Sequence, residues 1–350
     1  MRKLMLFAEG ASDRLGMGAR RFVVLLLAPV LCLAPSAPAL AAPRAHHGAA
    51  LAVHAKEKPC SKAEAKAADK VLLALDHDPA ALSAAAARHL PWGAPDAGPN
   101  ERRLVQPDYV VDYDSALKVP IWTSEQIVAS NLNDKIKRQD CFRADPRLDA
   151  DASSNPADYK EPIYDQGHMT PFADQRYSKV AGMNSFVMTN MAPQNCQLNR
   201  GIWQILEQIS RRWAAAHEPL YIFNGSVFDR DGDGTRDPDA AAMRMQSANH
   251  QARVAVPSAF YKIAAYVRPD GGVETVTVLL PHDTANPAGS AALDYLNAHV
   301  TGLATVQKLT GLRIFPQATN LHESKTLWAF EGYKPQSLCH AKAPAPTGHR

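Results

Sequence analysis

Chemistry-bearing side chains gather in two stretches, YDQGHMTPFADQ (residues 164–175) and TNMAPQNCQLNRGIWQILE (residues 189–207). Imidazole is the side chain best suited to accept a proton near neutral pH, so His168 is the candidate general base, with Asp165 close enough in sequence to support it. Asn190, Asn199 and Glu207 bring oxygen donors. A hard ion such as Mg²⁺ takes oxygen ligands and keeps several waters. Asn199 and Glu207 are eight residues apart, about 12 Å along an ideal helix, which is too far for both to touch one ion. The expected arrangement puts Asn199 on the metal and Glu207 behind a metal-bound water, with Gly201 loosening the start of the helix. Read singly, these residues are a turn histidine, an N-cap and a surface glutamate; together they make a site.

A second acidic run, FDRDGDGTRDPDA, sets Asp229, Asp231, Asp233 and Asp237 at the spacing of the first nine positions of an EF-hand loop. Ala240 stands at the twelfth position, where a bidentate glutamate is wanted. A structural Ca²⁺ site and a solvated acidic turn both fit this pattern. Arg200, Arg211 and Arg212 could touch a nucleic-acid backbone or decorate a solvated helix face. His217, His282, His299 and His322 lack partners at metal-ligand spacing.

The elements that must position these residues follow from periodicity. NRGIWQILEQISRRWAAAH (199–217) has apolar residues at 202, 205, 206, 209 and 213, one face of a helix. Trp203 and Trp213 belong to its buried side. Residues 61–90 predict two alanine-rich helices parted near Asp78-Pro79. YVVDYD, LYIFNGSVFD, ARVAVP, FYKIAAYV and VETVTVLLP predict strands. KVPIWTSEQIVASNL turns into a short helix, residues 139–162 form a polar loop, and residues 291–315 hold one or two helices ending near Gly311. Strands mixed with helices, without βαβ alternation, indicate an α+β fold.

DQGH followed by NMAPQNCQLNRGIWQILE resembles the DNA/RNA non-specific endonuclease family, whose pattern is D-R-G-H and then N-x-x-P-Q…L-N-x-x-x-W…L-E. The resemblance spans roughly residues 90–335. It implies a mixed or antiparallel sheet core carrying a ββα-metal (His-Me finger) motif. It also implies hydrolysis of phosphodiesters in DNA and RNA with one Mg²⁺, replaceable by Mn²⁺, leaving 5′-phosphate ends. Position by position, His168 matches the general base, Asn199 the direct metal ligand, Glu207 the residue that holds metal-bound water, Asn190 an active-site asparagine and Asp165 a supporting carboxylate. Arg138 stands where the family places a phosphate-binding arginine, with Arg143 as the alternative. Gln166 replaces the arginine of the family pattern, and an amide stabilises less developing charge than a guanidinium. A nucleic-acid binder built on the same fold, or a toxin nuclease with an immunity partner, are the competing readings; a protein inhibitor is a candidate partner.

The rest of the composition concerns destination. Arg20 and Arg21 precede an apolar run (22–34) and then Ala39-Leu40-Ala41, the pattern of a signal peptide over residues 1–41. Residues 42–90 then form a leader with accessory helices, 91–338 the nuclease domain and 339–350 a disordered tail. Cleavage takes away five basic and two acidic residues, bringing the formal charge from +3 to 0. The mature chain is therefore expected to be no polycation and to carry no membrane anchor. Export predicts a periplasmic or secreted protein. Four cysteines remain and permit three pairings; the expected one ties Cys60 to Cys339, joining the chain's two ends, and Cys141 to Cys196.

Overall fold

The structure, a computed structural model, describes residues 59–133, 136–246, 253–333, 335–336 and 339. The expected signal peptide (1–41), the expected leader up to residue 58 and the expected tail from 340 onward lie outside the described residues. The first elements are helices α1 (Lys62–Asp76) and α2 (Pro79–His89). Each starts on a side-chain cap: Ser61 and Glu64 exchange reciprocal bonds at α1, and Asp78 accepts from Ala81 N–H at α2, where Pro79 needs no donor partner.

Strands β1 (Glu101–Val105), β2 (Val110–Asp114) and β3 (Val119–Ile127) then form a meander. Next come β4 (Tyr164–His168), the short helices α3 (Phe172–Gln175) and α4 (Lys179–Asn184), β5 (Met191–Asn195) and helix α5 (Trp203–Ala216). The chain returns to the sheet as β6 (Leu220–Val227), β7 (Ala259–Val267) and β8 (Val273–Pro281). It finishes with α6 (Ser290–Ala298), β9 (Val300–Thr301), α7 (Leu303–Thr310) and β10 (Leu321–Glu323). Gly311, left-handed at φ 72°, ends α7.

The main sheet runs β1-β2-β3-β6-β7-β8-β10, with β9 paired to β8. All its pairings are antiparallel except β8 with β10, so the core is the mixed sheet expected. β4 and β5 form a separate two-stranded ribbon. Register places Thr123, Asn224 and Lys262 side by side across β3, β6 and β7. This face receives α5, where Trp203 lies 5.9 Å from the Phe260 ring and beneath the Lys262 ammonium. The opposite face, through Tyr221 and Phe223, meets Trp92 and Phe315. Ile205, Leu206, Ile209 and Trp213 of α5 are fully buried, each worth about 1.5–3 kcal/mol of apolar transfer.

Two expectations need correction. The disulfides are Cys60–Cys141 and Cys196–Cys339, not Cys60–Cys339 and Cys141–Cys196. The start of α1 lies beside the 138–143 segment, where Cys60 N–H donates to Asp140 O at 3.0 Å. The end of the chain instead comes back to the junction after β5, near Asn286, whose Nδ2 donates to Cys339 O. Chain ends need not meet each other when each is docked separately. The ARVAVP strand is also absent among the described residues: Ala255 makes a single bridge to Arg244, while Val254, Ala255 and Val256 are buried as a packed loop. Burial, not sheet pairing, explains that apolar run.

Candidate active site

β4 and β5 pair with His168 opposite Met191 and Tyr164 opposite Asn195, and the chain then enters a π-helical turn, Leu198–Ile202, that opens into α5. This is the ββα arrangement. Gly201, at φ −112° and ψ −112°, breaks the helical path inside the wide turn. Such turns recur at functional sites because they re-aim side chains without ending the helix.

His168 closes β4 and is 9% exposed. Its ring stands edge-on to Phe186 at 4.7 Å and to Phe142 at 5.8 Å. Burial, and then the Arg138 charge, hold its pKa well below the ordinary histidine value, so the ring is neutral at pH 7 and able to accept a proton. Nε2 is buried without a hydrogen-bond partner among the described residues. The residue following it is fixed from the sheet: Asn224 Nδ2 donates to Met169 O at 3.0 Å and to Thr123 Oγ1 at 3.3 Å, while Asn224 Oδ1 accepts from Lys262 Nζ. A polar row inside the main sheet thus anchors the end of the ribbon.

Asn190 is entirely buried, and its amide serves the same loop. Oδ1 accepts from Thr170 N–H at 2.9 Å, and Nδ2 donates to Thr170 O and Ser185 O at 2.8 Å. It positions the chain behind His168 instead of facing a ligand.

Side-chain alternation puts Asp165 and His168 on opposite faces of the ribbon. Asp165 accordingly holds other partners: it accepts from Asn199 Nδ2 at 2.9 Å and from Arg200 at 2.5 and 2.8 Å. Gln166 is half-buried on the His168 face. Arg138 pairs with Asp140 at 2.8 Å and lies over the Phe186 ring at 4.9 Å, where its charge acts on His168 and Glu207. Arg143 is spent on structure, bonded to Asp69, Asn184 and the carbonyls of Cys141 and Met183. Of the two arginines, Arg138 is the one beside the imidazole.

Glu207 sits at the edge of a buried ionic group that includes Glu125, Asp174, Arg211 and Lys262. Burial, opposed mainly by Lys262 and Arg211, pushes its pKa up to about 7. Asp174 and Arg211 are bridged at 2.7 Å. Burial also holds Glu125 well above the carboxylate range and lowers Lys262. Glu125 Oε2 accepts from Gln175 Nε2 at 2.7 Å. Of this group only Glu207 and Arg211 stand out in the sequence as candidates; Glu125, Asp174 and Lys262 do not, although Glu125 and Lys262 interrupt otherwise apolar strands.

The donor set fits a hydrated divalent cation. Nδ2 of Asn199 is committed to Asp165, which leaves its carbonyl Oδ1 as the ligand atom. Glu207 takes no hydrogen bond among the described residues, and His168 Nε2 is an orphaned buried nitrogen. In the acidic loop, carboxylate oxygens of Asp229, Asp231 and Asp237 lie within 4.8 Å of one another. Asp233 instead caps Thr235, and Asp229 accepts from the Gly232 and Gly234 amides. His282 is structural: its ring bridges Asn195 N–H at 2.8 Å and Pro257 O at 2.7 Å.

The sequence model of the DNA/RNA non-specific endonucleases matches residues 94–320. The chain belongs to this family. It is 28% identical to human mitochondrial endonuclease G over 59% of this chain and 67% of that protein. It is 29% identical to nuclease C1 of Cunninghamella echinulata var. echinulata, over 63% of this chain and 85% of that one. Among solved structures it is similar to the EndoG/EndoGI complex, described as showing the mechanism of EndoG inhibition, with a TM-score of 0.57, 25% identity, and coverage of 68% of this chain and 95% of that one. This protein is a metal-dependent endonuclease with an α+β fold.

Proposed function

We propose that this endonuclease is exported, uses Mg²⁺, and hydrolyses phosphodiester bonds of DNA and RNA with little sequence preference, leaving 5′ phosphates. The observation that carries the reading is the neutral, buried His168 with an uncommitted nitrogen, in the same ββα unit as an Asn199 amide turned by Asp165. Asn199 Oδ1 would hold the ion directly and Glu207 would hold it through water, and Mn²⁺ would meet the same oxygen donors. The bound ion supplies Lewis-acid stabilisation of the negative charge that grows on the phosphate. His168 removes a proton from the attacking water, and its apolar walls keep the ring uncharged until then. Arg138 holds a phosphate oxygen, while Gln166 offers an amide at the ribbon face. Because these groups address the phosphate and not base edges, sequence is read weakly.

Residues 91–338 are the proposed nuclease domain, with 42–90 an accessory. Export is supported by the N-terminal sequence pattern and by two disulfides, which persist in oxidising compartments such as the periplasm or the medium. A protein inhibitor is a proposed partner, since the similar solved structure is of an inhibited complex. The test is plasmid nicking with and without EDTA. Wild type should cut only with metal, and His168→Ala should lose about 10²–10⁴-fold. Metal-independent binding without cleavage by wild type would replace this reading with that of a nucleic-acid binder.

A further inference from the structure

Alongside α5 runs a groove of about 700 Å³, between that helix, the 3-10 turn Ala129–Asn133 and the end of α3. Gln204, Gln208, Arg211 and Arg212 line one wall, and Arg176 and Asn133 face them. Its described lining carries three arginines and no carboxylate. Spacings of four, seven, eight and eleven residues from Gln204 to Ala215 keep the wall on one helical face, about 16 Å long at 1.5 Å per residue.

Two polar atoms of the groove's lining residues, Arg176 Nε and Gln204 Oε1, are buried with no partner among the described residues. Arg212 is exposed and makes no ion pair among the described residues. Arg211 is different, held rigidly by Asp174. The groove runs beside the site without being lined by it: Glu207 lies three residues from Gln204 and four from Arg211, and the Arg211 charge acts on its carboxyl.

We infer that this groove is a subsite for the sugar–phosphate backbone flanking the scissile group, with Arg176 and Arg212 each meeting a phosphate. The inference rests on the proposed function and extends it. Guanidinium forks match phosphate oxygens in pairs, and amide side chains can donate to sugar or phosphate oxygens alike. Sixteen ångströms accommodates about two or three successive phosphates of one strand, whose through-space separation exceeds the 3.4 Å axial rise per nucleotide. A cavity this polar suits a strand better than a small apolar ligand. The enzyme therefore favours polymers over minimal diesters, through binding and not through the bond-breaking step.

The test uses the full chain carrying Arg176→Gln, Arg212→Gln or both, with long single-stranded DNA and bis(p-nitrophenyl) phosphate as substrates. For the polymer, KM should rise about fivefold or more per substitution while kcat stays within twofold. The slope of log affinity against log salt should shrink by about 0.7 for each arginine removed. Turnover of the small diester should follow wild type. Unchanged polymer KM and salt slope would overturn the subsite, as would an equal loss on both substrates. Arg212→Gln, at an exposed position, keeps the test valid where Arg176→Gln lowers the melting temperature. If wild type cleaves neither substrate, the proposed function fails on its own. The groove is then judged by DNA anisotropy titrations of the same variants in a His168→Ala background, with the same expected salt slopes and the same overturning result.

Discussion

Asp165 and Asn199 are joined by a single hydrogen bond from Nδ2 to Oδ2 at 2.9 Å, and the direction of that bond decides which end of the amide faces outward. An amide can rotate by half a turn at little cost when nothing distinguishes its ends. Here a carboxylate, which can only accept, selects the nitrogen.

Asp165→Ala should therefore act through the cation. The Mg²⁺ concentration giving half-maximal activity is expected to rise about 10–100-fold, the usual effect of losing a group that orients a ligand, with most of kcat returning at saturating Mg²⁺. Asn199→Ala should not be rescued in this way. An unchanged Mg²⁺ requirement in Asp165→Ala would show that the carboxylate does not orient the amide.

Two substitutions in the buried ionic group should differ sharply. Lys262→Met leaves Asn224 without its donor and the neighbouring carboxylates without a cation, so it is expected to cost about 3–5 kcal/mol in urea unfolding. It should also lower kcat, because Asn224 holds the Met169 carbonyl directly after His168. Glu125→Gln should cost less than Lys262→Met, by about 2 kcal/mol or more, since burial raises the Glu125 pKa well above the carboxylate range and so weakens the demand for its charge. Equal losses would mean that Glu125 is ionised.

His89 makes folding sensitive to acid. Nδ1 accepts from Gln126 N–H and the other nitrogen bonds Pro107 O, an arrangement that only the neutral ring satisfies. Burial, outweighing the Pro107 bond, lowers its pKa from 6.5 to about 4. The stabilisation is fully present above pH 6.5 and is lost as pH falls through the window down to about 4, because the unfolded chain takes up the proton first. The loss totals about 3 kcal/mol, at 1.36 kcal/mol per unit. His89→Gln should flatten this part of the stability profile. A profile as steep as wild type would place the sensitivity elsewhere.

The Cys60–Cys141 bond is adjacent to Phe142, one of the aromatic walls of His168. Replacing both cysteines with serine should lower stability by about 4–5 kcal/mol on the chain-entropy account for an 81-residue separation. It should also let water reach the imidazole. The acid limb of the pH–rate profile is then expected to move up toward the ordinary histidine value. A lower melting temperature with an unmoved limb would separate the staple from the site.

Much of this site was legible because its residues are close in sequence and set in a specific two-part pattern. His168, Asn199 and Glu207 come from one ribbon and the helix after it, and local periodicity suffices to find them. The residues that hold them were harder to see. Glu125, Asn224 and Lys262 come from three strands; register aligns Asn224 and Lys262 with Thr123, two residues before Glu125 on the same face of β3. Asn190 resembled a functional residue because it lies in the motif, yet its amide is fully used by backbone groups. The cysteine pairing misled for a related reason: counting residues along a chain does not show where each end docks. The ARVAVP segment shows the limit of alternation, since a buried loop can carry the same pattern as a strand.

The Cys196–Cys339 bond, three residues before Asn199, closes a ring with a sequence separation of 143. Position 339 must leave the ribosome before that ring can be sealed, so the approach to the metal helix is locked only after the last strand, β10, has been synthesised. A chain cut short before this cysteine can still build the ribbon, yet it lacks the clasp, which makes late maturation a property of the covalent connectivity itself.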